Sequence, residues 1–524
     1  MTIDNIHGLS FSPILTLKNK LKKYIVFLSC VLAFIACKSE RNEEVNHKNK
    51  HPNIIYILAD DLGYGDVSSF NTNSKIKTTS IDLLADQGML FTDAHSGSAL
   101  CTPTRYGILT GRFAWRTKLK KGVLWSYDKP LIDEKRLTVA SLLQKNGYHT
   151  SCIGKWHLGL EWSQDSAGNI ELASKIKNTP LANGFDEFYG IGASLDIPPY
   201  LYIKNDLVTA AKIDTIEGTS GKGFWRTGPI GDDFKHADVL PHLTKKAIQY
   251  IDKQSHTDKP FFLYFPLPAP HTPILPTQEF SGKSNTNAYG DFVLMVDDVV
   301  KQIMKSVSDN HIEENTIIIF TSDNGSSPMA DFKELEALGH FSNFHFRGHK
   351  ADIYEGGHRI PFIIKWPKNI RAGSSSDQTI CLTDFLATTA AIVGDSLPQN
   401  SGEDSYSIYP LITGQAAQDD RAATIHHSNN GSFAIRQGKW KLIFAPGSGG
   451  WSYPTPKEAI KLKLPPIQLY NLASDIKEQE NVAQEHPEIV LKLTELMNSY
   501  IKNGRSTPGA IQKNDTKTDL YVKL

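Results

Sequence analysis

The sequence predicts an α/β fold built on a large, mostly parallel central sheet flanked by helices. Continuous apolar runs rich in β-branched residues, such as Asn53–Ala59, are typical of strands that are buried on both faces. Such runs alternate along the chain with segments of helical character, which is the pattern of parallel strands joined by crossover helices. At 524 residues with 40% hydrophobic content, the chain can form more than one domain.

The N-terminal segment has the pattern of an export signal. Basic residues 18–23 precede an apolar run, 24–36, that is too short to cross a bilayer as a mature helix. Residues 34–37, Phe-Ile-Ala-Cys, are similar to a lipobox, which predicts a lipoprotein-type signal peptide over 1–36 and a lipidated Cys37. Residues 37–51 would form a polar tether. We therefore expect an exported protein, in the periplasm or at the cell surface, that contacts the membrane only through a lipid anchor. A simple secretory leader is the alternative.

Charge and cysteine content exclude other classes of protein. Lys plus Arg and Asp plus Glu both number 56, so no net charge attracts nucleic acid. If Cys30 leaves with the leader and Cys37 is lipidated, the remaining three cysteines predict no disulfide framework. Cys152 and Cys381 lie in apolar stretches typical of buried core residues. Cys101 differs, because residues typical of a turn and a helix start surround it.

The predicted elements then follow in order. Strands are expected over Asn53–Ala59, up to Ile153, and over residues 260–265, 316–321 and 361–365, with a capped helix over 138–147. Polar side chains follow four of these strands: Asp60 and Asp61, Lys155 and His157, His271, and Asp323 and Asn324. Because ligands of such sheets bind beyond the carboxyl ends of the strands, we expect these side chains to meet at one rim.

The oxygen-bearing members of this set predict a metal site. Asp60, Asp61, Asp323 and Asn324 offer only hard oxygen ligands, which suit Ca²⁺ or Mg²⁺ and disfavour zinc. We expect calcium. A role in turns and caps is the alternative for these residues.

A short helix is predicted to begin at Cys101. Pro103 fits its first turn and Gly111 fits the position just past its end. The free N–H groups of such a helix start stabilise negative charge, so a thiolate nucleophile at Cys101 is one possibility that these residues leave open.

The pattern changes beyond Gly414. Strand-like runs at 432–436 and 439–445, followed by the helical pattern of Pro487–Lys502, predict a smaller C-terminal α+β subdomain of antiparallel sheet plus helix. We place this subdomain over 415–524, after a catalytic domain over 52–414, and expect it to close one wall of the site.

Residues 101–112, CTPTRYGILTGR, resemble the signature of the type I, formylglycine-dependent sulfatases of the alkaline-phosphatase-like superfamily. The resemblance continues over most of the chain in residues 60–61 (DD), 154–159 (GKWHLG), 183–186 (NGFD), 270–271 (PH), 322–325 (SDNG), 348–350 (GHK), 355–361 (EGGHRIP) and 469–472 (LYNL). Within the family, the sequence is similar to the branch of arylsulfatase A and N-acetylgalactosamine-6-sulfatase. The resemblance implies an alkaline-phosphatase-like fold.

The resemblance implies a specific chemistry at Cys101. A formylglycine-generating maturation enzyme would oxidise this residue to Cα-formylglycine, whose hydrate attacks the sulfur of a sulfate ester and forms a covalent sulfo-enzyme. A second hydroxyl of the hydrate then allows sulfate to leave without attack of water on sulfur. A calcium ion, with Mg²⁺ as the other candidate, would be bound by Asp60, Asp61, Cys101, Asp323 and Asn324.

The remaining roles are also implied by the resemblance. Arg105 would hold residue 101 and the metal ligands, Lys155 and Lys350 would bind sulfate oxygens, His157 would be the base that expels sulfate, His271 with Lys350 would protonate the leaving alcohol, and Ser194 would contact sulfate or the hydrate. Taken alone, His271 is typical of a solvated loop residue and Lys350 of surface charge. We interpret Arg347, His349, His358 and Arg359 as surface charge, with His345 and Arg347 as candidates for the substrate side.

The expected function is therefore an exported sulfatase that hydrolyses sulfate monoesters of carbohydrates, with galactose or N-acetylgalactosamine as the favoured sugars. A phosphonate monoester hydrolase or phosphodiesterase of the same superfamily is one alternative. An inactive glycan-binding lipoprotein is the other. The sequence leaves the oligomeric state open.

Overall fold

The computed structural model describes residues 51–415 and 421–522. The predicted leader, residues 1–36, and the tether, residues 37–51 apart from His51, lie outside the described residues. The strands, in chain order, are β1 Asn53–Ala59, β2 Met89–Phe91, β3 Ala94–His95, β4 His149–Lys155, β5 Glu187–Ile191, β6 Ile203–Lys204, β7 Leu207–Val208, β8 Ile213–Ile216, β9 Gly228–Gly231, β10 Phe261–Pro266, β11 Thr316–Ser322, β12 Phe362–Lys365, β13 Ser374–Ser376, β14 Ile380–Cys381, β15 Thr424–His427, β16 Phe433–Gln437, β17 Trp440–Ile443 and β18 Gln468–Asn471.

Ten of these strands form the central sheet, in the order β13-β2-β12-β11-β1-β10-β4-β5-β6-β7. Five neighbours, β11, β1, β10, β4 and β5, run parallel, with Ile55 of β1 beside Leu263 of β10 and Ile318 of β11. The flanking strands β12 and β6 run antiparallel to their neighbours. The prediction of a mostly parallel, mixed central sheet is confirmed.

Helices cover both faces of this sheet. They are α1 Thr79–Asp86, α2 Cys101–Thr110, α3 Val139–Lys145, α4 Val239–Ser255, α5 Ala288–Asp309, α6 Phe332–Ala337, α7 Glu355–His358, α8 Phe385–Val393, α9 Tyr409–Ile412, α10 Pro456–Lys461 and α11 Pro487–Lys502. Alternate residues of β1 point to opposite faces, so Tyr56 packs with α2, α3 and α8, whereas Ile57 packs with α1, α4 and α5. Both faces of β1 are therefore buried, which explains its continuous apolar sequence.

The predicted helix over 138–147 corresponds to α3. The Thr138 hydroxyl accepts a hydrogen bond from the Ser141 backbone N–H and so caps the helix. Gly147 follows the helix with a φ of 85°, a left-handed conformation that glycine adopts without strain. Cys152 and Cys381 are buried, as predicted.

A second, antiparallel sheet of order β15-β16-β17-β18 lies in the C-terminal part of the chain. Helix α11 covers one face through Leu493, Met497 and Tyr500, whereas Leu491, part of the apolar pattern in the sequence, is exposed. The other face packs against Tyr354. The predicted sheet and helix are confirmed, and the domain boundary near Gly414 stays a prediction. Within the described residues, no helix has the length and apolar character needed to cross a bilayer.

Candidate active site

The carboxyl ends of the five parallel strands bring the predicted polar residues together. Asp60 and Asp61 follow β1, Lys155 is the last residue of β4, His271 lies five residues after β10, and Asp323 and Asn324 follow β11. The backbone N–H of Asp60 donates to the carbonyl of Ala269, and that of Asp323 to the carbonyl of Ala59. The loops after neighbouring strands are thus fastened to one another at a single rim.

Three carboxylates form the centre of this rim. One oxygen from each of Asp60, Asp61 and Asp323 lies within 4.8 Å of the others, and all three side chains are buried. Asn324 Nδ2 donates to Asp61 Oδ1 at 2.7 Å, and the Asp61 backbone N–H donates to Asp323 Oδ1 at 3.2 Å. Asp61 has a φ of 65°, an uncommon conformation for a residue with a side chain and one that is often found at functional sites.

Two buried oxygens without hydrogen bonds indicate that the rim fits a metal ion. Asp60 Oδ1 and Asn324 Oδ1 are buried and have no hydrogen-bond partner among the described residues. Arg105 Nη2 lies 3.5 Å from Asp60 Oδ1 without forming a hydrogen bond to it. Buried acceptors without a hydrogen bond are costly, and a cation would satisfy both. Because every candidate oxygen ligand belongs to a carboxylate or an amide, the set fits calcium.

Three buried cations balance the three carboxylates. Lys155 Nζ lies 2.5 Å from Asp60 Oδ2, and Lys350 Nζ lies 2.7 Å from Asp61 Oδ2. Arg105 donates to Asp323 Oδ2 from Nε at 3.2 Å and from Nη2 at 2.7 Å. A divalent cation would therefore give the rim a net charge of plus two, which an anionic substrate would offset.

The same charges set the pKa values of the carboxylates. Burial opposes ionisation of Asp60, but Lys155, His271 and Arg105 outweigh it and hold the pKa of Asp60 well below its usual range. Burial and the nearby charge of Asp60 raise the pKa of Asp323 to about 7. Two carboxylates this close share their positive partners unequally.

Cys101 is the first residue of α2 and is only 2% exposed. Its sulfur, one oxygen of Asp60 and one ring nitrogen of His271 lie within 4.8 Å of one another. Gly111 ends the helix with a φ of 61°, as predicted. Burial raises the pKa of the Cys101 thiol despite the helix start and the nearby lysines, which argues against a thiolate nucleophile.

His157 has one free ring nitrogen. Its Nε2 lies 2.9 Å from the carbonyl oxygen of Leu124 and must donate to it, while Nδ1 is buried without a hydrogen-bond partner among the described residues. Burial, with Lys155 and Arg105, holds the pKa of His157 well below its usual value. The ring is therefore neutral and offers a lone pair at Nδ1, as a general base requires.

His271 and Lys350 are part of the rim rather than solvated surface residues. His271 is 8% exposed, donates from Nδ1 to the carbonyl of Thr272 at 2.6 Å, and places Nε2 3.6 Å from Asp61 Oδ2. Lys350 is 5% exposed, and its charge pairs with Asp61.

Ser194 forms no hydrogen bond with the described rim residues. Ser194 follows β5 and is buried, but its side chain forms no hydrogen bond with another described residue. Asp196, two residues further on, instead places Oδ1 4.0 Å from His271 Nδ1. Asp196 is not among the predicted site residues, although it follows a parallel strand as the other rim residues do.

The interpretation of His358 and Arg359 as surface charge is wrong. His358 is fully buried, stacks on His426 with ring centroids 3.8 Å apart, and lies 3.0 Å from Lys441 Nζ. Arg359 bonds the carbonyl of Thr92. The C-terminal sheet, which contributes His426 and Lys441, covers this region and removes it from solvent.

Arg347 and His349 are also not free surface charges. The Arg347 guanidinium lies 3.9 Å from the centre of the Tyr354 ring and donates to the carbonyl of Glu478. The ring of His349 lies 5.4 Å from that of Phe332. His345 and Arg347 line a cavity of about 1020 Å³ whose described lining includes none of the rim residues.

Two ammonium groups beside a buried carboxylate cluster can bind an anionic ester, and the Nδ1 atom of His157 can accept a proton during its hydrolysis, as in a hydrolase of anionic esters. The chain belongs to the sulfatase family, whose model matches residues 52–394, and it is a sulfuric ester hydrolase. It is 32% identical over 518 residues to an N-acetylgalactosamine-6-O-sulfatase of Bacteroides thetaiotaomicron, covering 91% of this chain and 98% of that protein. It is 31% identical over 465 residues to human arylsulfatase A, covering 85% and 87% of the two chains.

A solved sulfatase structure from Bacteroides thetaiotaomicron, connected with the metabolism of multiple glycosaminoglycans, has the same fold. It superimposes with a TM-score of 0.75 at 32% identity and covers 86% of this chain and 99% of the solved one. The predicted membership of the sulfatase family is confirmed.

Proposed function

We propose that the protein hydrolyses sulfate monoesters of carbohydrates, with galactose or N-acetylgalactosamine as the sulfated sugar. The observation that carries this proposal is the set of three carboxylates and three cations buried beside Cys101. The choice of sugar is supported by the relative from Bacteroides thetaiotaomicron, which is an N-acetylgalactosamine-6-O-sulfatase.

The proposal includes a modified residue and a metal ion. Cα-formylglycine at position 101 would supply the nucleophile as its hydrate, and Ca²⁺ on Asp60, Asp61, Asp323 and Asn324 would neutralise charge on a sulfate oxygen. Arg105 fixes Asp323 through two hydrogen bonds and donates from Nη1 to the carbonyl of Lys155 at 3.0 Å, so it connects the metal ligands to β4.

Side chains of the rim bind the sulfate group and transfer protons. Lys155 and Lys350 bind the sulfate oxygens as negative charge grows on them. His271 lies next to Cys101 and, with Lys350, donates a proton to the departing alcohol oxygen. His157 accepts a proton at Nδ1 when the sulfate group is expelled. Ser194 is retained as a substrate contact of this proposal.

The proposal also extends to processing and location. Residues 1–36 would direct export, Cys37 would carry the lipid anchor, and a maturation enzyme would modify Cys101. The protein would then act on sulfated glycan fragments outside the cytoplasm.

A single preparation tests the proposal. We expect the tryptic peptide that contains Cys101 to have the mass of the aldehyde, and the same protein to release sulfate from N-acetylgalactosamine 6-sulfate. Protein produced in a host without a maturation enzyme is the matched control and should be folded but nearly inactive. Equal initial rates on 4-nitrophenyl sulfate and an aryl phosphodiester would contradict the preference for sulfate, and an aldehyde-bearing protein inactive on every ester would contradict the enzymatic function.

A further inference from the structure

Three residues that were not predicted as site residues form a chain of contacts between the surroundings of His157 and those of His271. Trp125 follows Leu124, whose carbonyl binds His157, and Asp196 Oδ1 lies 4.0 Å from His271 Nδ1. Arg226 joins the two, because its guanidinium lies 5.0 Å from the centre of the Trp125 ring and its Nη1 donates to Asp196 Oδ2 at 2.6 Å. We call Trp125, Asp196 and Arg226 the mouth triad.

Arg226 fixes one side of Asp196 and leaves one oxygen free. The backbone N–H and Nη1 of Arg226 donate to the Asp196 carbonyl at 3.3 and 2.9 Å, in addition to the bond with Oδ2. Asp196 Oδ1 is buried and has no hydrogen-bond partner among the described residues. The nearest ring nitrogen, His271 Nδ1, already donates to the carbonyl of Thr272. A buried charged acceptor held in this way is suited to a donor supplied by a ligand.

Trp125 provides a different kind of contact. Trp125 is 51% exposed as a residue, although large aromatic residues usually bury most of their surface. Pyranose rings present apolar C–H groups on one face and hydroxyls at the edge, so a sugar can pack on an aromatic ring and donate hydrogen bonds sideways. Ligand sites combine apolar surface with a few fixed polar groups in the same way.

We propose that the mouth triad is the subsite for the sugar ring whose sulfate is removed, with Trp125 packing on the ring and Asp196 Oδ1 accepting a hydrogen bond from a hydroxyl close to the ester oxygen. The proximity of Asp196 to His271 places this hydroxyl beside the group that is proposed to protonate the ester oxygen. The inference rests on the proposed sulfatase function. It also predicts that a second sulfate in place of this hydroxyl is rejected, because it would face a carboxylate.

The test compares Asp196→Ala and Asp196→Asn with Asp214→Asn. Asp214 is a matched control, since it is an exposed carboxylate on β8 that pairs with Lys212. The readouts are KM and kcat for N-acetylgalactosamine 6-sulfate, kcat/KM for 4-nitrophenyl sulfate, and the Kd of unsulfated N-acetylgalactosamine. We expect Asp196→Ala to raise KM and Kd about 10- to 100-fold, the loss of a charged hydrogen bond, with Asp196→Asn intermediate and Asp214→Asn unchanged.

Other outcomes overturn the inference. Wild-type KM and Kd in Asp196→Ala would show that the carboxylate does not contact the sugar. A lower kcat on the sugar sulfate with unchanged KM and Kd would mean that Asp196 acts only by positioning His271. If Asp196→Ala fails to fold, Trp125→Ala and Trp125→Phe give the same test, because only the alanine variant should lose sugar affinity. If no preparation hydrolyses any sulfate ester, the proposed function fails, and the sugar Kd still tests the subsite.

Discussion

Replacing His157 by glutamine tests the role proposed for its free ring nitrogen. Glutamine can still donate an N–H to the Leu124 carbonyl, but it has no basic lone pair at the position of Nδ1. General-base catalysis contributes about 10²- to 10⁴-fold, or about 2.7 to 5.4 kcal/mol. We expect the upper part of this range, because His157 is 2% exposed and water has little access to replace it.

The assay is pre-steady-state release of 4-nitrophenol from 4-nitrophenyl sulfate. If His157 acts only when sulfate is expelled, His157→Gln should release one equivalent of nitrophenol per active site at the wild-type rate and then turn over about 10²- to 10⁴-fold more slowly than the wild type. Wild-type turnover should depend little on His157 protonation from pH 8 to pH 6, because burial lowers the pKa of this group and keeps it neutral there. Linear turnover by His157→Gln at the wild-type rate would show that His157 is not the base, and loss of the first equivalent in a variant with an unchanged Tm would show that His157 acts before sulfate is expelled.

Three further predictions concern the rim. Cys101→Ser should lack turnover and keep a Tm close to that of the wild type, because the change is nearly isosteric; unfolding of this variant in a thermal scan would mean that Cys101 is structural. Chelation by EGTA should abolish activity and lower the Tm, and Ca²⁺ should restore both better than Mg²⁺; activity that survives exhaustive chelation would rule out the metal site. Arg105→Lys keeps the charge but loses the double hydrogen bond to Asp323, and calcium titration should show affinity about 10- to 100-fold weaker; wild-type affinity would show that Arg105 does not support the ligands.

The rim could be located from sequence because one rule places it. Asp60 and Asp323 each follow a continuous apolar run, and the ends of parallel strands meet at one edge of a sheet. The strands themselves were recognisable because burial on both faces makes them uniformly apolar. The antiparallel direction of β12 was not recognisable, since a four-residue apolar strand has the same pattern in either direction.

The environments of residues with distant partners could not be predicted in this way. The sequence predicts that His358 is a polar residue at the surface. In the structure β15 and β17, more than 65 residues later in the chain, bury it beside His426 and Lys441. Asp196 follows β5, so the same rule could have placed it at the rim, but the state of its carboxylate depends on Arg226, 30 residues away, which donates to one oxygen while the other has no hydrogen-bond partner among the described residues. Long-range packing, rather than local pattern, determines both environments.

The buried ion pairs of Lys441 indicate how much of the C-terminal part of the chain an active fragment must retain. Lys441 is buried 3.0 Å from Glu355 and 2.8 Å from Glu478, and Glu355 begins α7, five residues after Lys350. A fragment cut at the end of the family match, residue 394, would retain every rim residue but leave Glu355 without this ammonium group. Removing one partner of a buried ion pair costs about 3 to 5 kcal/mol, a large part of the stability of a typical domain. Expression fragments, fusions and shortened gene products should therefore retain the chain through at least Glu478, even though the rim residues all lie before residue 351.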